Sequence, residues 1–165
     1  MKRTDWFIEY SGETTEQLLG YPAKGQIDSL VRAFEEGIQR KSSRRSQRLT
    51  EEERVVLAVR GLEREVNNGG YDQFFRNSSR KFAPIIVQSL ERIGCIRTTS
   101  ITQRAINALS VKTLTESRIA GVMRRKNEER DRKLEECDQA FYQTPQGIAK
   151  RLHAFIKANR SHIRL

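Results

Sequence analysis

Apolar residues recur along this chain at helical intervals. Ile27, Leu30, Val31, Phe34 and Ile38 stand at i, i+3, i+4, i+7 and i+11, a single stripe on a helix. Val55, Val59, Leu62 and Val66 make a second stripe, introduced by Thr50-Glu51-Glu52-Glu53. That quartet has the form of a capping box, in which the Thr50 hydroxyl accepts from the N–H three residues on and Glu53 reaches back to the Thr50 N–H. Its three carboxylates also suit the positive end of the helix dipole. Asn67-Asn68-Gly69-Gly70 predicts the stop, since glycine supplies the left-handed conformation that ends a helix. Tyr71 to Phe75 then restarts a short helical turn.

Further stripes follow. Pro84 suits a first helical turn, Ile86, Leu90 and Ile93 carry its buried face, and Gly94 caps it. Ser100-Ile101-Thr102-Gln103 predicts a second capping box, opening a helix through Ala105 and Leu109. Leu114, Ile119, Val122 and Met123 indicate another, and Met123 to Lys133, dense in both signs of charge, reads as a solvated face. Leu134, Cys137, Ala140, Phe141 and Tyr142 resume apolar contacts. Thr144-Pro145 predicts an N-cap with proline at the first helical position, ahead of the stripe Ile148, Leu152, Phe155 and Ile156. Residues 1–26 are the least regular, punctuated by Gly12, Gly20, Pro22 and Gly25, with a short helix expected near Glu13 to Leu19. Strand-like alternation never persists. The expected fold is all-α, a single compact bundle of six to eight helices, with Phe74, Phe75 and Phe141 in its core.

Composition adds limits. A length of 165 residues suits one domain, and its spaced Leu, Ile, Val and Phe are too many for a disordered chain. No apolar run approaches the roughly 18 residues of a bilayer span. The stretch Met1-Lys2-Arg3-Thr4-Asp5-Trp6-Phe7 is followed by Glu9 and Glu13 and lacks the apolar region of a secretory signal, so a cytoplasmic location is expected. Cys95 and Cys137 form no C-x-x-C pair and are expected as reduced core thiols.

Charge changes the picture most. Thirty-one Lys and Arg against 21 Asp and Glu leave +10, a balance that favours anionic partners. Arg40 to Arg48 holds five positive charges, no acid and no apolar residue, and reads as an exposed, mobile linker. Arg124-Arg125-Lys126 is a second patch, diluted by Glu128, Glu129 and Asp131. Beyond Asp138 there is no acid, and Lys150 and Lys157 fall on one side of a helix with Arg151 beside them. Arg44, Arg45 and Arg48, with Lys150, Arg151 and Lys157, are therefore the candidate anion-binding residues. No base-reading motif accompanies them.

Catalytic chemistry finds no footing. His153 and His162 stand apart from the single cysteines, so no metal site is expected. Glu63 with Glu65, and Glu135 with Glu136, point in different directions on a helix. Nucleophile elbows and phosphate-gripping glycine loops are missing from the sequence. The expectation is no catalytic residue, no metal and no cofactor. The densest unusual segment runs from Asn67 to Asn77. Asn67, Asn68, Gly69, Gly70 and Gln73 there are candidate interaction residues, and they equally suit a helix end whose amides satisfy loose backbone groups.

The same segment carries a resemblance. Leu49-Thr50-Glu51-Glu52-Glu53-Arg54, then Leu62-Glu63-Arg64-Glu65-Val66-Asn67-Asn68-Gly69-Gly70-Tyr71-Asp72-Gln73-Phe74-Phe75 and Asn77-Ser78-Ser79, resemble a DNA-mimic-protein-like bacterial family of small helical domains, mostly of unknown function. Leu90 to Cys95 and Leu134 to Tyr142, with Cys137-Asp138 in the family's Leu-Asp place, extend the likeness over about two-thirds of the chain. It implies a helical domain over 49–165, preceded over 1–48 by an extension, a helix and the basic linker. Mimicry of DNA by acidic groups is not expected to carry over. From residue 51 onward the chain has 22 basic and 14 acidic side chains, a net of +8 (22 − 14), which cannot imitate phosphates. The function expected is a non-enzymatic interaction or regulatory module that meets an acidic protein or a second copy of itself, without a membrane. The alternative is weak, sequence-indifferent nucleic-acid binding.

Overall fold

The capping box at Thr50 forms as its spacing requires. The Glu53 N–H donates to Thr50 Oγ1 at 3.1 Å and the Thr50 N–H donates to Glu53 Oε2 at 3.0 Å. The box reaches beyond its own helix, however. Glu53 is fully buried, and its Oε1 accepts from Lys41 Nζ at 2.6 Å and from the Arg164 N–H at 2.9 Å. Thr50 Oγ1 donates to the His162 carbonyl at 2.7 Å. A local sequence signal is thus a tie between segments more than 100 residues apart.

A computed structural model describes residues 6–165. The opening residues 1–5, part of the stretch searched above for a secretory signal, lie outside the described residues. Among the described residues there are eight α-helices, one 3-10 turn and no strand: α1 (Thr15–Leu19), α2 (Ile27–Ser42), α3 (Glu51–Arg76), the 3-10 turn (Ser78–Phe82), α4 (Ala83–Arg92), α5 (Ile96–Ala108), α6 (Glu116–Arg124), α7 (Glu128–Tyr142) and α8 (Ile148–Ala158). The all-α reading holds. No helix among the described residues is long and apolar enough to cross a membrane.

Two compact units emerge, residues 1–60 with 147–165, and residues 61–146. In the first, α2 lies against α1 and α8, burying Leu30, Val31, Phe34 and Ile38 with Leu18, Leu152 and Ile156. Glu35 of α2 receives Arg60 Nε at 3.2 Å. In the second, α5 packs on α4 and α7, and the core holds Leu62, Val66, Ile86, Leu90, Ile119 and Leu134. Phe74 and Phe75 are fully buried and Phe141 nearly so, as expected. Tyr71 meets Phe141 edge-on with ring centres 6.2 Å apart, and Phe74 meets Phe75 likewise at 5.2 Å.

Four expectations need correction. Helix α5 does not begin at Ser100 but at Ile96, so Ser100 is an exposed mid-helix residue. Gly94, at φ +78°, turns the chain, and the helix resumes at once. Its early N–H groups are served from afar: Gln146 Oε1 accepts from the Thr98 N–H at 2.9 Å and from Thr98 Oγ1 at 3.2 Å. The same use of Gln146 displaces the start of α8 from Thr144-Pro145 to Ile148. Gly147, at φ +60°, is its N-cap, and Pro145 stays in the loop. Finally, the basic linker is shorter than Arg40 to Arg48. Arg40 and Lys41 belong to α2, where Arg40 pairs with Glu36 and Lys41 with Glu53. The charge-dense stretch Met123 to Lys133 also hides one of its charged residues: Arg130 is buried, with Nη1 donating to the Val122 carbonyl and Nε and Nη2 to Asp131 Oδ1.

Candidate functional site

Helix α3 breaks where the glycines stand. Gly69 (φ −158°, ψ 23°) and Gly70 (φ +74°, ψ −175°) both leave helical geometry, which restarts at Tyr71. A break inside a helix frees backbone groups that must find partners. The Asn68 amide, expected to serve them, donates instead to Gln73 Oε1 at 3.2 Å, and Asn67 is exposed. Helix α7 does the work instead. Asp138 Oδ1 accepts the Tyr71 N–H at 2.7 Å, and Tyr142 Oη donates to the Val66 carbonyl at 2.6 Å. Asp138 and Tyr142 are four residues apart, hence on one face of α7. Both sit in the late block that carries the resemblance, but a partner 67 or 76 residues away leaves no trace in local spacing.

Below the break lies a buried carboxylate. Glu65 accepts from Gln73 Nε2 at 2.7 Å, Asn77 Nδ2 at 2.9 Å and Ser79 Oγ at 3.1 Å. Burial alone would raise its pKa, yet these three donors and the Arg64 charge outweigh it and hold the carboxyl below the ordinary glutamate range. Gln73 therefore joins Asn68 above to Glu65 below. Tyr71 completes the set: its hydroxyl lies 2.7 Å from Thr102 Oγ1, and burial pushes the phenol well above its usual range. Of the candidate interaction residues, Gly70 and Gln73 are thus parts of an internal lock, and Asn67, Asn68 and Gly69 form its exposed edge.

Asp138 is shifted the other way. Burial raises its carboxyl first, the Tyr71 N–H lowers it, and Asp72 and Glu135 raise it again, leaving the pKa above the usual aspartate range. A raised folded-state pKa in an acid means that the ionised form costs stability, and that this cost is lifted as pH falls through the folded-state value. The lowered Glu65 has the opposite sign, contributing stability above the unfolded-state value that is lost as pH falls. Asp138→Asn keeps an acceptor for Tyr71 and removes the ionisation. Its melting midpoint should match or exceed wild type at neutral pH and lose the advantage below about pH 4, where an ordinary aspartate is itself protonated. Midpoints measured from pH 3 to pH 8 check this, and a difference from wild type independent of pH would contradict it.

The cationic candidates are elsewhere, in the first unit. Arg44, Arg45 and Arg48 are exposed on the connection between α2 and α3, and Lys150, Arg151 and Lys157 are exposed on α8. His153 of α8 is half-buried; burial, then the Lys157 charge, lowers its pKa. His162 is exposed. No group of three or more described His, Cys, Asp or Glu residues could hold a metal ion, and both cysteines are buried and outside any disulfide. Burial raises the Cys137 thiol.

Fold and lock together define a class: a small all-helical protein whose polar signature residues fasten a broken helix, α3, to α7. The chain belongs to the DMP19-like protein family, whose model matches residues 47–159. No curated protein and no solved structure matches it.

Proposed function

We propose that this member of the family is a non-enzymatic interaction module that docks cationic surface on an acidic protein partner. The observation that carries the reading is where the polar groups go. Glu65, Gln73, Asn77, Ser79 and Asp138, polar residues of the signature segments, are engaged in internal hydrogen bonds. The remaining distinctive surface is positive, and like charge opposes any use of it as a DNA mimic toward a DNA-binding protein. A thiol held protonated by burial, as at Cys137, is a poor nucleophile. A second copy of the chain is the other protein partner consistent with the sequence, though two +10 surfaces repel.

Nucleic-acid binding is the second reading, favoured by one observation: Lys150 and Lys157 share a side of α8 and are exposed, in a stretch with no acid after Asp138. Binding of this kind would be electrostatic and indifferent to sequence, because phosphate contacts release counterions and no base-reading element accompanies them. The experiment is a salt series with polyglutamate, a random duplex and a random single strand, using wild type and two triple variants. These are Arg44→Gln/Arg45→Gln/Arg48→Gln and Lys150→Gln/Arg151→Gln/Lys157→Gln. The proposal expects polyglutamate to bind with an affinity that falls with salt and falls again in at least one triple variant. Duplex binding that exceeds polyglutamate binding at equal charge would favour the second reading, and no binding of any polyanion at low salt would end both.

A further inference from the structure

A groove of about 500 Å³ opens in the second unit between the segment that follows α5 and α6. Arg118, Gly121, Val122 and Arg125 line one side at i, i+3, i+4 and i+7, and Ser110, Val111 and Lys112 line the other. Four observations converge on it. Its three cations, Lys112, Arg118 and Arg125, are exposed and have no acidic partner among the described residues. They belong to a one-sided stretch of the chain: residues 92–127 hold eight Lys and Arg and a single acid, Glu116.

Gly121 is the second observation. Glycine is the least favourable residue for a helix interior after proline, and it is usually kept for positive φ or close packing. Neither applies here, because its φ is not positive and a Cβ built on it would meet nothing within 4 Å. Its missing side chain leaves the floor of the groove open. The third is Ser110, the one non-glycine residue with positive φ (51°) among the described residues. It occupies the left-handed position after α5, where glycine would be free of strain, and it lines the groove. The fourth is rigidity: the buried Arg130 holds the Val122 carbonyl, so the α6 wall is fixed by α7.

We infer that this groove binds a short linear polyphosphate group, two or three phosphates long. Arg118 and Arg125 are two helical turns apart, roughly 10 Å along the axis, with an open floor between them, which suits an extended anion better than one compact charge. Two guanidinium forks and an ammonium without counter-charges match several closely spaced phosphate oxygens. The Ser110 hydroxyl supplies a neutral donor. No aromatic side chain lines the groove, so it lacks the stacking platform of a single-strand nucleic-acid channel. The phosphates could be free or attached to a nucleoside, whose body would rest on Val111 and Val122.

The test is calorimetric titration of the full chain at low salt, without divalent cations, with inorganic triphosphate and separately with a nucleoside triphosphate. One site is expected. Gly121→Leu fills the floor without changing charge, and Arg118→Gln/Arg125→Gln removes charge without filling it; each should weaken binding about tenfold or more. Lys150→Gln/Lys157→Gln should change it less than about twofold. A nucleoside triphosphate binding about tenfold tighter than triphosphate assigns the nucleoside-linked source, and equal affinities assign the bare phosphate chain. Absence of binding by both ligands overturns the inference. So does equal weakening by the α8 variant, which would mean diffuse charge, or displacement of triphosphate by a random duplex at lower phosphate concentration, which would mean a nucleic-acid surface. Gly121→Leu binding as wild type does would also overturn it. Should that variant fail to fold, as judged by its circular dichroism melt, the surface arginine pair and the α8 control decide the matter.

Discussion

Gly70→Ala should destabilise the protein by about 3–5 kcal/mol, far more than the same change at another left-handed glycine. Forcing alanine to positive φ costs about 1–2 kcal/mol by itself. At Gly70 a second cost is added, since the new Cβ would lie 2.2 Å from Asp138 Oδ2. The carboxylate must withdraw, and the Tyr71 N–H is left without its acceptor, a loss of about 1–3 kcal/mol. At Gly147 φ is +60° but the nearest atom to a Cβ is Lys150 Cβ at 3.9 Å, so only the backbone cost applies. Thermal melts should place Gly70→Ala roughly 10 °C below wild type, at about 2–4 °C per kcal/mol for a chain of this size. Equal shifts at Gly70 and Gly147 would mean that Asp138 contributes nothing to the break.

Glu65→Leu should be as damaging, by about 3–5 kcal/mol. The substitution keeps bulk but leaves donors on Gln73, Asn77 and Ser79 facing an apolar side chain in a site where water is scarce. Each unpaired buried donor costs about 1–3 kcal/mol, less whatever Asn77, the most exposed of the three, recovers from solvent. Glu65→Gln preserves the shape and one acceptor oxygen, so its loss should be about 1–2 kcal/mol at neutral pH. Because the Glu65 pKa is lowered by folding, wild type loses this contribution as the solution is acidified, whereas the glutamine variant has none to lose. Denaturant midpoints of the two proteins should therefore converge toward low pH. Parallel pH profiles would show that the charge on Glu65 is immaterial.

What could be read from the sequence divides along a physical line. Stripes such as Leu30 to Ile38 and the box at Thr50 were legible because both partners lie within one or two helical turns. The stop at Gly70 was legible because only glycine takes that backbone conformation without strain. The caps that Gln146 gives to α5 and Asp138 gives to Tyr71 join residues 48 and 67 positions apart, and neither donor nor acceptor is marked by its neighbours. Ser100 and Thr144 misled for the same reason: a local cap is an offer that a distant side chain can override. The groove was hidden differently. Its cations Lys112, Arg118 and Arg125 stand six and seven residues apart, and of these only Arg125 fell within a basic patch, so no short window of sequence shows the three together.

The reach of Glu53 bears on how the chain is made. At about 5–20 residues per second of synthesis, the backbone N–H of Arg164 follows Glu53 from the ribosome by roughly 6–22 seconds. Residues 61–146 form a unit continuous in sequence and have their own core as soon as they emerge. Residues 1–60 do not, because α8 and the Arg164 N–H arrive last. For that interval the carboxylate that ends fully buried has to stay in water or be covered by something other than its own chain. A ribosome-stalled chain lacking residues 147–165 should accordingly show a protease-resistant second unit beside a first unit still open to cleavage.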